Sequence, residues 1–207
     1  MKNMFTTKIL AASMMALSLG LTGCLTDSKD DEEPAPTPVA WSSDSILNVG
    51  AQGHLTLGTA IDLDARRVMT SAVVNDSSNA FANQRSIDLL FVFSGGATKL
   101  MSPVAAKAAT DIPLADNYRD TVIFNTKFVN AVAAPANWTE AKTAYDAADS
   151  TVLVNSATVS AGQNYIVKTN LNDYVVITIG TIANGTANTA STALTVKVKA
   201  ITAAAAN

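Results

Sequence analysis

The densest cluster of charged side chains in the predicted domain is Asp62-x-Asp64 followed by Arg66-Arg67. Side chains two positions apart on a strand point to the same face, so the two carboxylates could share a hard cation such as Ca²⁺. Paired carboxylates also perform glycoside hydrolysis, at a separation that a sequence does not fix. The segment lacks the further ligands of a dedicated calcium loop. We interpret it as a turn in which aspartate and arginine pair, and we keep Asp62 and Asp64 as candidate ligand-binding residues.

The sequence offers little for catalysis. His54 is the only histidine, so a Ser-His-Asp arrangement would have to use it, and no Gly-x-Ser-x-Gly elbow is present. Zinc sites take several His or Cys ligands, and this chain has one residue of each type. We therefore predict a protein that is not an enzyme, with no catalytic residues, no bound metal and no cofactor.

Two tryptophans are the other candidates for ligand binding. Trp41 lies where a linker meets the predicted domain, and Trp138 lies at a predicted helix start, so these two are the aromatic residues most expected to be partly exposed. Exposed aromatic rings can stack on the apolar faces of sugars, which makes both residues candidates for holding a glycan. Packing in the core is the alternative for each ring.

The charge balance excludes one class of partner. The 207 residues contain 14 Lys and Arg against 17 Asp and Glu, which gives a net charge of −3. Nucleic-acid binding requires a basic face that neutralises phosphates, so we predict no nucleic-acid partner. The length suits one domain of ordinary size, and a single Cys makes an intrachain disulfide impossible.

The N-terminal residues have the layout of an export signal. Lys2 and Lys8 precede an uncharged apolar stretch over 9–21, which is too short to span a hydrocarbon core of about 30 Å. The stretch ends in Leu21-Thr22-Gly23-Cys24, which resembles the lipobox of bacterial lipoproteins. The resemblance implies cleavage before Cys24, a diacylglyceryl group on its thiol, acylation of the new amino terminus, and therefore a membrane anchor.

The residues after Cys24 are acidic and then rich in proline. An acidic run over 27–33 resembles the export signal of surface lipoproteins in some Gram-negative anaerobes. This implies an outer-membrane lipoprotein on the cell surface, with a periplasm-facing one as the alternative. Pro residues alternate over 34–38 and favour an extended spacer. We predict a signal peptide at 1–23, a linker at 24–39 and one domain at 40–207.

Short apolar alternations predict strands in that domain. Ile87–Phe93 is apolar on both faces for most of its length, which predicts a central strand that Gly95-Gly96 ends. The other predicted strands cover 54–63, 122–128, a hairpin of 165–169 with 174–179, and 194–201. Caps at Asn137 and Ser102 predict short helices that run to Ala148 and Ala109. The predicted fold class is mainly β, an antiparallel β-sandwich or open barrel with one or two short helices in connections.

Three segments carry a further resemblance. The strand at 85–93 before the two glycines, the hairpin at 164–179 and the closing strand at 194–201 together resemble the HmuY-like β-sandwich lipoproteins on the surface of Gram-negative anaerobes. The resemblance implies that fold and that location. Some members of the family bind haem through two His side chains. This chain has only His54, and no motif places Met69 or Met101 as a second ligand, so we expect no tight haem binding.

These observations favour a non-catalytic, lipid-anchored surface protein that binds a glycan, a small nutrient or a partner protein. The alternatives are a structural or assembly lipoprotein of the outer membrane without a ligand, and a haem-binding, haemophore-like protein. A large exposed apolar patch without a concave pocket would favour the structural role. A hydrolase would instead show converging carboxylates with raised pKa values in a cleft.

The lipobox interpretation predicts that Cys24→Ser abolishes membrane anchoring, because a serine hydroxyl cannot form the thioether. We expect the variant to accumulate as an unlipidated protein, either soluble or with its signal peptide uncleaved. Detergent phase partitioning and intact mass measure both properties. A Cys24→Ser protein that still partitions with membrane lipoproteins would contradict the interpretation.

Overall fold

The computed structural model describes residues 37–41, 43–74, 80–109 and 124–200. The predicted signal peptide, Cys24 and most of the predicted linker lie outside the described residues. Within the described ranges, no helix has the length and hydropathy that crossing a bilayer requires.

Ten strands form two antiparallel sheets of five strands each, with four short helices in the connections. The strands are β1 (Ser43–Gly50), β2 (Ala60–Asp62), β3 (Arg67–Met69), β4 (Leu89–Ser94), β5 (Ala97–Met101), β6 (Lys127–Ala131), β7 (Ser156–Thr158), β8 (Asn164–Lys168), β9 (Tyr174–Ala183) and β10 (Ala193–Ala200). The helices are α1 (Ser71–Val74), α2 (Ala80–Arg85), α3 (Pro103–Ala108) and α4 (Trp138–Asp146). One sheet has the order β1-β10-β9-β8-β6, and the other has the order β3-β2-β4-β5-β7.

The main core lies between the two sheets, as in the predicted sandwich. Leu89 and Phe91 of β4 point into this core and are fully buried, and Ile177 of β9 lies in the same cluster on the other sheet. The alternate residues of β4, Leu90 and Val92, are buried in a second cluster on the outer face of their sheet. The prediction of a central strand buried on both sides is therefore confirmed, and positive φ values at the two following glycines form its turn.

Helices cover part of the outer face of each sheet, and both predicted helix starts are confirmed. The Asn137 side chain accepts a hydrogen bond from the Glu140 backbone N–H at 2.9 Å and caps α4. Ser102 caps α3 in the same way. Helix α4 buries Ala141 and Tyr145 against β8 and β9. A short extended segment at 37–41 is bonded beside α4, since the carbonyl of Val39 accepts the Trp138 N–H at 2.9 Å.

The predicted strand at 54–63 is wrong over its first half, because only Ala60–Asp62 is extended and paired. The His54 Nδ1 atom accepts hydrogen bonds from the backbone N–H groups of Thr56 and Leu57 at 3.2 and 3.0 Å, which folds the segment into a turn. Such local bonds compete with a strand ladder. Strand β1, which the alternation did not reveal, instead pairs along its whole length with β10.

Two further strand predictions differ at their bounds. Strand β6 begins at Lys127, so the residues 124–126 of the predicted strand precede it, and Val122 lies outside the described residues. The predicted hairpin is confirmed, but its second strand continues to Ala183. The closing strand is confirmed with Leu194, Val196 and Val198 inward.

The buried position of Phe91 predicts that Phe91→Asp prevents folding. The substitution removes a fully buried ring and leaves an unpaired charge, at a cost of several kcal/mol against a total stability of about 5–15 kcal/mol. Ile46→Asp is the matched control, since Ile46 on β1 is 71% exposed. Circular dichroism and thermal unfolding should show a cooperative β-rich protein for Ile46→Asp and none for Phe91→Asp. A folded Phe91→Asp protein would contradict the central position of β4.

Candidate functional site

A cleft of about 800 Å³ opens at one end of the sandwich. Three connections form it: the turn from β2 to β3, the residues between α2 and β4, and the turn from β8 to β9. Residue Phe124, just before β6, completes the wall. The cleft is lined by residues that include Asp62, Asp64, Arg85, Phe124, Asn170 and Leu171.

Three carboxylates meet behind and within this cleft. Asp62, Asp64 and Asp88 each place one oxygen within 4.8 Å of the others. The sequence pattern predicted the first two as a pair, and the structure brings them together. Asp88 was missed, although its occurrence in the apolar run 87–93 is the signal that could have revealed it. A buried acid at the start of a central strand requires specific partners.

Asp88 is fully buried and links the two sheets. Its Oδ2 accepts the Leu63 backbone N–H, and its Oδ1 accepts the Asn170 backbone N–H, both at 2.8 Å. Leu63 follows β2 in one sheet, whereas Asn170 follows β8 in the other. Burial raises the pKa of Asp88 to about 7, against the lowering effect of these two N–H donors. The neighbouring charges of Asp64 and Asp62 add to the increase in pKa.

Asp62 organises the turn from β2 to β3. Its Oδ2 is 3.0 Å from the Arg67 Nε, and its Oδ1 accepts the Ala65 N–H at 2.9 Å. The predicted turn with aspartate–arginine pairing is therefore confirmed. Arg66 within the turn has a φ of 54°, a left-handed conformation that a tight turn requires.

Asp64 is the carboxylate with unused hydrogen-bonding capacity. Its Oδ2 is buried and has no hydrogen-bond partner among the described residues. Burial raises the pKa of Asp64, a side-chain hydrogen bond with Thr169 lowers it, and the charges of Asp62 and Asp173 raise it again. Three carboxyl groups could hold a hard cation, but Asp62 and Asp88 already accept protein hydrogen bonds, and Ca²⁺ takes 6–8 oxygen ligands. Burial and the mutual repulsion of the carboxylates raise the pKa of Asp64 and of Asp88.

The two candidate tryptophans lie elsewhere, beside α4. The Trp138 Nε1 donates to Asp173 Oδ1 at 2.9 Å, and its ring meets that of Tyr174 edge-on at 5.8 Å. The Trp41 Nε1 donates to the Pro135 carbonyl at 3.0 Å. Both indoles are half-buried against the α4 cluster. Both tryptophans therefore belong to the α4 cluster, and neither lines the cleft that contains the aspartates.

The residues considered for haem are also separated. The His54 Nδ1 accepts two backbone N–H groups within its own turn. Met69 and Met101 are 2% and 4% exposed and pack in the apolar cluster on the outer face of their sheet, to which His54 does not belong. Both thioethers are thus in contact with other apolar side chains.

Comparisons with known proteins add little to this geometry. No protein-family model matches the chain, and no curated protein matches it significantly. The chain is similar to the solved structure of a DUF4466 family protein from Parabacteroides merdae, with 11% identity and a TM-score of 0.46. The match covers 75% of this chain and 53% of the other, so the chain spans about half the length of that protein.

The buried carboxyl of Asp88 predicts that the free energy of unfolding falls as pH rises from about 4 to 7. The ordinary aspartate pKa is 3.8, and burial raises that of Asp88 to about 7, so the folded protein retains a proton that the unfolded chain releases in this window. This stabilisation is complete below pH 4 and is lost as pH passes through 7. We expect it to be about 2–4 kcal/mol.

Urea unfolding at several pH values between 4 and 8 measures the effect. Asp88→Asn cannot ionise, so its pH profile should be flatter than that of the wild type, whatever its absolute stability. Asn48→Ala, which changes no ionisable group at an exposed position of β1, is the control and should keep the wild-type slope. An Asp88→Asn protein with the wild-type slope would show that Asp88 does not carry the proton.

Proposed function

We propose that the protein is a lipid-anchored lipoprotein of the outer membrane, displayed on the cell surface, whose sandwich binds a saccharide in the end cleft without catalysing a reaction. The observation that carries the proposal is the lining of the cleft. Apolar surface from Phe124 and Leu171 lies beside the polar side chains of Asp64, Arg85 and Asn170. A sugar has the matching character, with apolar ring faces and a rim of hydroxyl groups.

The dimensions of the cleft also suit a small ligand. Its volume of about 800 Å³ falls within the range of about 300–1,000 Å³ that is usual for small-molecule sites. Asp64 lines the cleft and is partly exposed, so its carboxylate supplies an acceptor for a ligand hydroxyl. A small polar nutrient other than a sugar would use the same groups.

The wall that carries Asn170 is held in place before any ligand arrives. The Asn170 backbone N–H donates to Asp88, and its side-chain amide donates to the Arg85 carbonyl. The N–H of Asn172 in the same turn donates to the Thr169 carbonyl at 3.0 Å. A preorganised wall loses little conformational freedom on binding, which favours affinity.

The anchoring part of the proposal depends on sequence features outside the described residues. The lipobox at 21–24 supports acylation of Cys24, and the acidic run after it supports display on the outer surface. The Pro-rich segment provides a spacer between lipid and domain.

A glycoside hydrolase is the second candidate function, because the cleft contains converging carboxylates and two of them have raised pKa values. Burial opposes it. Asp62 and Asp88 are 3% and 0% exposed, and the mechanism requires two carboxyl groups that flank the scissile bond. Only Asp64 of the three is open enough to meet a substrate.

A structural role without a ligand is opposed by the concave cleft. The large apolar side chains that the structure describes as exposed also lie on separate elements, among them Ile46 on β1, Val73 on α1 and Leu171 in the turn after β8. Apolar residues exposed singly are normal on a soluble surface and do not form an interaction patch.

The proposal predicts that the detergent-solubilised protein binds a subset of a glycan array and that Phe124→Ala weakens binding by about tenfold or more, since an aromatic contact and its buried area are lost. Val132→Ala, at an exposed position after β6, is the control and should bind as the wild type does. Calorimetry with the best array ligand measures the affinity. Chromatography of the ligand after incubation tests for cleavage.

Absence of any specific glycan or small-nutrient binding would refute the proposal. Unchanged affinity in Phe124→Ala would place the binding site outside the cleft. Release of shorter saccharides that stops in Asp64→Asn would instead establish the hydrolase.

A further inference from the structure

A second cavity adjoins the cleft and is chemically different from it. Its volume is about 410 Å³, and Phe124 and Asn170 line both spaces. It lies between the start of β6, the end of β8 and the last turn of α4, where Tyr145 borders it. A ligand that rests on Phe124 in the cleft can therefore extend into this cavity.

Two lysines face each other across the cavity. Lys127 of β6 and Lys168 of β8 are directly opposite in the antiparallel register, and both line the cavity. The next pair, Phe128 and Val167, points into the core, so the lysines point away from it on the same side of the sheet. Like charges directly opposite each other on neighbouring strands are destabilising. Such a pair is expected where an anion offsets the repulsion.

The residues that the structure describes neutralise this pair only in part. Asp146, which lies near Lys168, already forms an ion pair with Lys142 and accepts the Tyr174 hydroxyl at 2.7 Å. The Lys168 Nζ lies over the Tyr174 ring, 5.4 Å from its centroid, and its charge contributes to lowering the pKa of Asp146. Lys127 forms no ion pair with any residue that the structure describes. Two ammonium groups, those of Lys142 and Lys168, thus share the Asp146 carboxylate, and Lys127 adds a further positive charge to the cavity lining.

The floor of the cavity carries an unused polar group. Thr126 is 5% exposed, and its hydroxyl has no hydrogen-bond partner within the described ranges. Buried hydroxyl groups are normally paired, because an unpaired one retains its full desolvation cost. Thr126 lines the same cavity as the two lysines, so its hydroxyl is a further polar group of this lining. The amide side chain of Asn172 borders the same cavity.

We infer that the saccharide bound in the cleft is acidic and that its carboxylate or sulfate group lies between Lys127 and Lys168. This inference rests on the proposed function and specifies the class of ligand. The sugar ring contacts Phe124, and the acidic substituent enters the second cavity, where the lysines and the Thr126 hydroxyl supply charge-assisted hydrogen bonds.

Calorimetry on the detergent-solubilised full chain tests this with three oligosaccharides of equal length: a neutral galactan, an oligogalacturonate and a sulfated galactan. We expect the two acidic ligands to bind more tightly than the neutral one, and their relative affinities separate carboxylate from sulfate. Lys127→Met should weaken acidic ligands by about tenfold or more, because a charge-assisted contact is lost, and should leave neutral ligands unchanged. The affinity of acidic ligands should also depend less on salt in this variant.

Two controls distinguish binding from stability. Lys199→Met removes a lysine from β10, three strands away from β6, and should retain wild-type affinity. Lys127→Met should not lower the unfolding temperature, since it relieves the repulsion with Lys168.

This inference would be overturned if neutral and acidic ligands bind equally, Phe124→Ala weakens both and Lys127→Met weakens neither. That result would leave the proposed function intact. Failure of the protein to bind any saccharide would overturn both. If Lys127→Met and Lys199→Met reduce the binding of the acidic ligands equally, the attraction is non-specific. That result would also overturn the inference.

Discussion

The buried carboxylate of Asp88 is the constraint on which the end of the sandwich depends. Its two oxygens bond the backbone of Leu63 in one sheet and of Asn170 in the other, so one side chain fixes the spacing of two turns. Those turns form the walls of the cleft, and Asn170 also borders the lysine-lined cavity. A buried acid is costly without partners, and here the two N–H donors and the raised pKa accommodate it. Through Asn170, this single carboxylate therefore helps to position a wall of both the cleft and the second cavity.

Much of the fold could be predicted from local pattern, and the failures have physical causes. The strand at Ile87–Phe93 and the hairpin that begins at Tyr165 were recognisable because each contains a long apolar pattern whose side chains are buried. The caps at Ser102 and Asn137 satisfy backbone N–H groups locally, so they need no tertiary information. Strand β1 was missed because its apolar alternation is short: Leu47 and Val49 are buried, whereas Ile46 between the polar positions is exposed. The segment at His54 alternates like a strand, but its imidazole bonds the adjacent backbone instead.

The site was less predictable because its residues come from distant parts of the chain. Asp62 and Asp64 share a local spacing, whereas Asp88 and Asn170 meet only when the two sheets pack. The lysine pair likewise requires the β6–β8 register. Trp41 and Trp138 were candidates because their rings occur at junctions. Their indole N–H groups instead found acceptors beside α4, and no sequence pattern distinguishes these two outcomes.

The segment at 37–41 has a mechanical consequence for a domain held by its N-terminus. Val39 donates to the Thr139 hydroxyl at 3.0 Å and accepts from Trp138, and the Trp41 indole is bonded to Pro135. In the proposed anchored protein, drag from flowing medium pulls on the chain at residue 37. These three bonds and the half-buried indole lie along the loaded path ahead of β1, so they would have to break before the full tension reached β1 at the edge of the sheet. Tension in the tether is therefore carried first by the contacts of this segment with α4 and Pro135, which protects the pairing of β1 with β10 from direct load.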